Sequence, residues 1–169
     1  TSIITRGSTP ATGRSTRLGL DGSLRGGKLL LGDLYAELPG HPVLLSAEIE
    51  QAAGNTQLRR LHLTDPDALT LEGSASFGPG NAMALQLDDI QAHFPAAYSR
   101  YGKGLSAWLG FPAISISGSL QGALSLAPSA LRSFRFDTQH LDIALAEGQL
   151  GVKGLHGGLD WAAGQTRPA

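Results

Sequence analysis

Apolar and polar residues alternate over most of this chain, which is the pattern of β-strands with one buried and one wet face. The clearest run extends from Ile114 to Leu126, where the even positions carry Ile, Leu or Gly and the odd positions carry Ser, Gln or Ala. Successive side chains of a strand point to opposite faces, so this run predicts a half-buried strand. The same alternation recurs over residues 43–49, 69–77, 83–87, 141–145 and 155–161.

Turn signals separate these runs at the places where a strand has to reverse. They are glycine-rich and lie at residues 26–27, 40–42, 54–55, 78–81 and 147–148. Short strands joined by such turns predict an antiparallel meander. The expected fold class is all-β, and the meander forms either a curved sheet with a hydrophobic face or a sandwich of two sheets.

One segment departs from the alternation and predicts a short amphipathic helix over about residues 95–109. Its apolar positions, which include Ala97, Tyr101, Leu105 and Trp108, recur at spacings of three and four. That spacing places them along one face of a helix. Two internal glycines each cost about 1 kcal/mol relative to alanine, so packing against the sheet has to hold the helix in place.

A short pattern of apolar, polar, Gly, small and apolar residues occurs four times in the predicted strands. Its glycines are Gly22, Gly73, Gly118 and Gly157, which stand about 40 to 50 residues apart. A glycine inside a strand marks a bend, a bulge or the close approach of another backbone. A sheet that bends at these places would be curved, although the abundance of Gly and Ser offers a simpler origin for the pattern.

Composition narrows the class of protein. Of 169 residues, 41% are apolar and 16% are charged, the net charge is −1, and there is no cysteine. The scattered basic residues argue against nucleic-acid binding, which needs a concentrated Lys/Arg surface. The length suits one domain. We expect a linker or edge segment over residues 1–15, a single β-rich domain over 16–162 and a tail over 163–169.

No combination of residues predicts a catalytic or metal site. The five histidines stand at least 16 residues apart, and His41 lies in a Gly-His-Pro turn where an exposed position is expected. The run from Gly22 to Leu29 lacks the Ser or Thr of a phosphate-binding loop and predicts a hairpin turn instead. Glu48 and Glu50 share the wet side of a strand, where a solvated role is expected. The sequence therefore predicts a protein that is not an enzyme and carries no cofactor.

Several of these features together resemble the AsmA-like envelope proteins of Gram-negative bacteria. The likeness is carried by Tyr98-Ser-Arg-Tyr101, by the helix that follows, by Ile116-Ser-Gly118-Ser-Leu120-Gln-Gly122 and by the closing Gly154-Leu-His-Gly-Gly-Leu-Asp-Trp161. The likeness lies in the overall pattern of apolar, polar and glycine positions and spans about residues 16–162. The resemblance implies long β-sheets that form a hydrophobic groove and handle phospholipids in the periplasm, within a protein anchored at the inner membrane by a segment outside this stretch.

On this interpretation the chain is a non-enzymatic module that shields lipid acyl chains, and its partners are a phospholipid or other acyl-chain ligand, the rest of the membrane-anchored protein and envelope proteins. The alternative is an interaction or scaffold domain of a secretion assembly, because the residue pattern is also similar to that of the N component of type II secretion machines. The lipid-binding set implied by the first interpretation is Leu45, Leu71, Phe77, Leu85, Ile114, Ile116, Leu120, Leu124, Ile143 and Leu145, with Tyr101 and Trp108 on the helix.

Overall fold

Eleven β-strands and one short helical segment make up the described part of the chain in the computed structural model. The structure describes residues 2–8, 15–31, 34–52, 54–108, 113–128, 130–145 and 151–164. The strands are β1 Ser2–Ser8, β2 Ser15–Leu24, β3 Gly27–Leu31, β4 Leu34–Leu38, β5 Val43–Ala52, β6 Asn55–Asp65, β7 Leu69–Phe77, β8 Met83–Phe94, β9 Ile114–Ala127, β10 Ala130–Leu145 and β11 Gly151–Ala162.

Nine of these strands form one antiparallel sheet in the order β1-β2-β5-β6-β7-β8-β9-β10-β11. The remaining two, β3 and β4, pair with each other as a separate hairpin. The predicted all-β meander is confirmed, and it takes the form of a curved sheet. Among the described residues there is no second large sheet, so the sandwich alternative is not the one this chain adopts.

Every run of alternating residues that predicted a strand lies in one of these strands, and the turn glycines join them. Gly54 connects β5 to β6 with a positive φ of 81°, and the 3₁₀ turn Pro79–Asn81 connects β7 to β8. The turn signal at 147–148 lies outside the described residues. The run from Gly22 to Leu29 does contain a turn, but this turn joins β2 to β3, which belong to different sheets.

The glycine pattern marks irregular places in the sheet at three of its four positions, Gly73, Gly118 and Gly157, the last with a φ of 118° beside a register shift between β10 and β11. At Gly73 the pairing of β7 with β8 shifts register, and a Cβ there would lie 2.1 Å from the Gln86 carbonyl oxygen. Gly118 has a φ of 112°, and a Cβ there would lie 2.0 Å from the His140 carbonyl oxygen. Both positions therefore need glycine, and bulges of this kind increase the local bend and twist of a sheet. Gly22, in contrast, pairs in regular register.

The predicted helix is present over residues 96–108. Pro95 lies in the turn before it, and Leu109 lies outside the described part of the chain. The helix opens with the wider turns of a π-helix, Tyr98–Gly102, and continues as α1, Lys103–Trp108. Turns of the π type are rare and are found mostly as single-turn insertions in α-helices. We call residues 96–108 together with the β3–β4 hairpin the cap, because α1 and the π-helix contact β4.

Candidate functional site

The cross-strand register brings all ten sheet residues of the predicted lipid-binding set to one face. Residues that stand opposite each other in neighbouring strands share a face. Leu45 pairs with Leu63, which pairs with Leu71, and the row continues across the sheet through Ile90. The other members of the set follow by alternation within their strands and by pairs such as Ile116 with Ile143. We call this side of the sheet the apolar face.

The opposite side of the sheet is polar and charged. Arg59 and Glu50 form an ion pair at 3.2 Å there, and Arg60 and Glu48 form another at 2.6 Å. The two sequence-predicted carboxylates, Glu48 and Glu50, therefore lie on the wet side as expected. Two shallow depressions of about 290 and 520 Å³ also lie mainly over this side. Among the described residues, no group of three or more His, Asp or Glu side chains could hold a metal ion.

The apolar face is only partly buried. Val43, Leu63, Leu87, Ile90 and Leu141 are buried, but all ten members of the predicted set are half-buried. The molecule has a solvent-accessible surface of 11205 Å². A compact monomer of 17.5 kDa is expected to have about 7900 Å². The large surface agrees with a sheet whose apolar side, in the described part of the chain, has no second large sheet packed over it.

An aromatic row extends the apolar face to the last two strands. Phe134 stacks on Phe136 with ring centroids 5.6 Å apart, and Trp161 of β11 stacks on Phe134 at 5.7 Å. Such contacts add about 0.5–1.5 kcal/mol to the burial of each pair. The two phenylalanines are absent from the sequence-predicted set, although their spacing of two residues is a strand signal. Trp161 remains 42% exposed.

The cap packs on one end of the apolar face through small side chains. Ala68, Ala92 and Ala97 are buried together, with Tyr101 packed against them. Gly104 of α1 lies so close to β4 that a Cβ there would stand 2.1 Å from the Tyr35 carbonyl oxygen. The close packing of α1 on β4 therefore requires glycine at position 104, although the sequence alone indicates only that this glycine destabilises the helix.

Asp65 links the cap to the sheet through hydrogen bonds. It follows Leu63 on the apolar side of β6 and is 1% exposed. Three side chains donate hydrogen bonds to its carboxylate: His41 Nε2 at 2.6 Å to Oδ1, and Arg100 Nη1 at 2.7 Å and Tyr101 Oη at 2.9 Å to Oδ2. One donor comes from the turn after the hairpin and two from the π-helix, so a single buried carboxylate links both parts of the cap to β6.

The charge of Asp65 is stabilised by these donors. Burial by itself raises the pKa of a carboxyl, but the hydrogen bonds from His41, Arg100 and Tyr101 outweigh burial and lower the pKa of Asp65 below its usual value. Burial and the same carboxylate raise the pKa of the Tyr101 phenol. The Asp65 side chain has no exposed surface, so it does not contact a substrate and its role in this geometry is structural.

Two sequence-based expectations for this region change. His41 does not occupy a bland exposed turn, because it is part-buried and bonded to Asp65. Tyr101 does not simply line the apolar face, since its ring packs in the alanine cluster and its hydroxyl binds Asp65. Trp108 belongs to α1, but its side chain lies outside the described residues. An acid at an apolar position of a strand is the signal that could have revealed this cluster.

None of the helices in the described part of the chain has both the length and the apolar character needed to cross a membrane. Comparison with known protein families, with curated proteins and with solved structures finds no match to this chain. The functional argument therefore depends on the geometry of the apolar face and its cap.

Proposed function

We propose that this chain is a non-enzymatic periplasmic module that shields lipid acyl chains along the apolar face of its sheet. The observation that carries the proposal is the half-buried state of that face, from Leu45 in β5 to Ile143 in β10, which among the described residues has no second large sheet over it, only the cap at one end. Each methylene group that moves from water onto such a surface contributes about 0.8 kcal/mol. About ten well-buried acyl carbons would therefore supply the roughly 8 kcal/mol of a micromolar complex.

The dimensions of the face suit an acyl chain. A strand rises about 3.3 Å per residue, so the 14 residues of β9 extend for about 46 Å. Nine strands about 4.8 Å apart span a width of about 38 Å. The acyl chains of one bilayer leaflet occupy about half of a hydrocarbon core that is about 30 Å thick. A lipid tail therefore fits along the strands or across them.

The cap gives the face a defined end. Arg100 and Tyr101 of the cap donate hydrogen bonds to Asp65, and Tyr98 Oη accepts a hydrogen bond from the backbone N–H of Ile114 at 3.3 Å. A lipid on the apolar face would meet protein side chains at this end and open surface along the strands. The periplasmic setting and the membrane anchor of the full-length protein are expectations from the resemblance to AsmA-like proteins.

The test is to place a charge on the apolar face and ask whether acyl-chain binding is lost without loss of the fold. We expect Ile116→Lys and Leu120→Lys to keep the circular dichroism of the parent, because a half-buried Lys can extend its ammonium to water. Binding of a fluorescent fatty acid should fall at least about tenfold, since the charge would have to be desolvated beneath the acyl chain. The matched control is Ser117→Lys, which is exposed on the polar face of the same strand.

Two outcomes contradict the proposal. If both apolar-face variants fail to fold while Ser117→Lys folds, those positions belong to a tightly packed core. If both fold and bind the fatty acid as the parent does, the ligand does not lie on this face. The first result would favour the interaction or scaffold domain of a secretion assembly.

A further inference from the structure

The last strand of the sheet is a long open edge. β11 pairs with β10 on one side, and none of the described strands pairs with its other side. Eleven of its twelve residues, Gly151 to Trp161, are exposed. Leu159 is 62% exposed, while Val152 and Leu155 are each 43% exposed. The outer edge of β11 offers unpaired N–H and C=O groups to another strand. Natural edge strands usually limit such pairing with charges, bulges, prolines or a short length. β11 is 12 residues long and has no proline, and its charged residues Lys153 and Asp160 are of opposite sign.

The sequence of β11 is complementary to itself when it is read in the antiparallel direction. If Gly157 stands opposite its own copy, Leu155 falls opposite Leu159 and both lie on the apolar face, because they pair with apolar residues of β10. Gly154 has a φ of 64° and lies where the pairing with β10 shifts register, so it is an extra residue in the strand. Allowing for this bulge, Lys153 falls opposite Asp160 on the polar face.

The same register continues to the end of the strand. Val152 then falls opposite Trp161, and both lie on the apolar face because they pair with Ile143 and Phe134 of β10. The paired positions therefore match by character: glycine with glycine, leucine with leucine, cation with anion and aliphatic with aromatic. Opposite charges and aromatic or β-branched pairs across strands each contribute roughly 0.2–1 kcal/mol.

We propose that β11 binds a second copy of this chain, edge to edge and antiparallel, with the two-fold axis at Gly157. A two-fold axis gives each subunit the same patch and requires that the patch be complementary to itself. An axis normal to the sheet leaves the apolar faces of both copies on the same side. The product is one sheet of 18 strands, twice the nine of a single chain, with a continuous apolar surface.

This dimer goes beyond the acyl-chain proposal and does not depend on it. The contacts that define it are the backbone edge of β11 and the pair Lys153 with Asp160, whereas the lipid test changes Ile116 and Leu120 of β9. A chain that binds fatty acid but does not dimerise, or the reverse, separates the two proposals. Asp160 already accepts a hydrogen bond from Arg135 at 3.0 Å, and both side chains are exposed enough to accommodate a further cation.

Cysteine crosslinking tests the register, because the chain has no cysteine of its own. Opposed residues of antiparallel strands have Cα atoms about 4.5–5.5 Å apart, which is within the range that a disulfide can span. We expect a mixture of Lys153→Cys and Asp160→Cys to form a disulfide-linked dimer under mild oxidation. Each variant alone should give at least about fivefold less, since the register places identical copies of these residues about 20 Å apart.

The matched control mixes Lys153→Cys with Asp88→Cys, an exposed position on β8, and should give only the background level. Equal crosslinking in all samples, or none above this background, would overturn the proposal. Sedimentation of the unchanged chain provides a test that needs no variant. The mass should rise from monomer to dimer with concentration, and a monomer at every concentration up to about 1 mM, where an association of only about 4 kcal/mol would be visible, would also overturn it.

Discussion

The cap over the middle strands and the edge strand β11 differ in how their polar and apolar groups are covered. At the cap, a carboxylate on the apolar face is surrounded by His41, Arg100 and Tyr101, and the neighbouring alanines are buried. At β11, a strand with apolar side chains remains exposed along its length. The cap satisfies its polar groups within the chain, whereas the edge strand leaves its outer backbone groups open. The capped end is held by contacts within the chain, and the open surfaces are the ones for which we propose binding.

The largest effect is expected where the cap is fastened. Asp65→Ala should lower the free energy of unfolding by about 2–4 kcal/mol, because Arg100 and His41 would stay part-buried without their anion. Urea unfolding followed by circular dichroism measures this. The control is Asp67→Ala, two residues away and exposed, which should change stability by less than about 0.5 kcal/mol. Equal stability of the Asp65 variant and the control would contradict the role assigned to this carboxylate.

A smaller effect is expected where the helix meets the hairpin. Gly104→Ala should cost about 1–3 kcal/mol, since its methyl group would collide with the Tyr35 carbonyl and push α1 away from β4. Gly40→Ala is the matched control, because a Cβ there meets no atom within 4 Å. Urea midpoints of the two variants settle the point. If Gly104→Ala is as stable as Gly40→Ala, α1 does not pack closely on the hairpin.

Strand positions are predictable from the sequence wherever alternation is unbroken. The run from Ile114 to Leu126 predicts β9 almost to the residue, since its apolar positions keep one phase from end to end. Alternation does not predict β6, because Arg60, with a φ of 50°, lies at a bulge that shifts the phase of the apolar positions. Leu58 and Leu61 pair with Ala75 and Gly73 of β7, which are two positions apart, so the two leucines share a face although they are three positions apart in the chain.

The cover over the apolar face is not predictable from the sequence, and neither is the cluster around Asp65. Alternation shows that Ile116 lies on the same face of the sheet as its apolar neighbours. A sandwich and an open sheet both give this pattern, so the pattern does not distinguish them. The partners of Asp65 stand 24, 35 and 36 residues away in the chain. No local spacing links them, so only the packing of the cap on β6 brings them together.

The smallest effect on stability is expected at the open edge. Trp161→Ala should cost no more than about 1.5 kcal/mol, because the ring is 42% exposed and loses mainly its stacking on Phe134. Most buried tryptophans cost about 3–5 kcal/mol on the same change. Thermal or urea unfolding distinguishes the two cases. A loss of about 3 kcal/mol or more would mean that β11 is as well packed as the capped end, and the contrast between the two regions would fail.

The most direct test of the central claim is native mass spectrometry of the chain purified from bacterial membranes and periplasm without strong detergent. If the apolar face shields acyl chains, the spectrum should contain the protein with one or more bound phospholipids. Ile116→Lys prepared in the same way should appear mainly as the bare chain. A parent protein that carries no lipid, and that takes up none when incubated with phospholipid vesicles, would contradict the account.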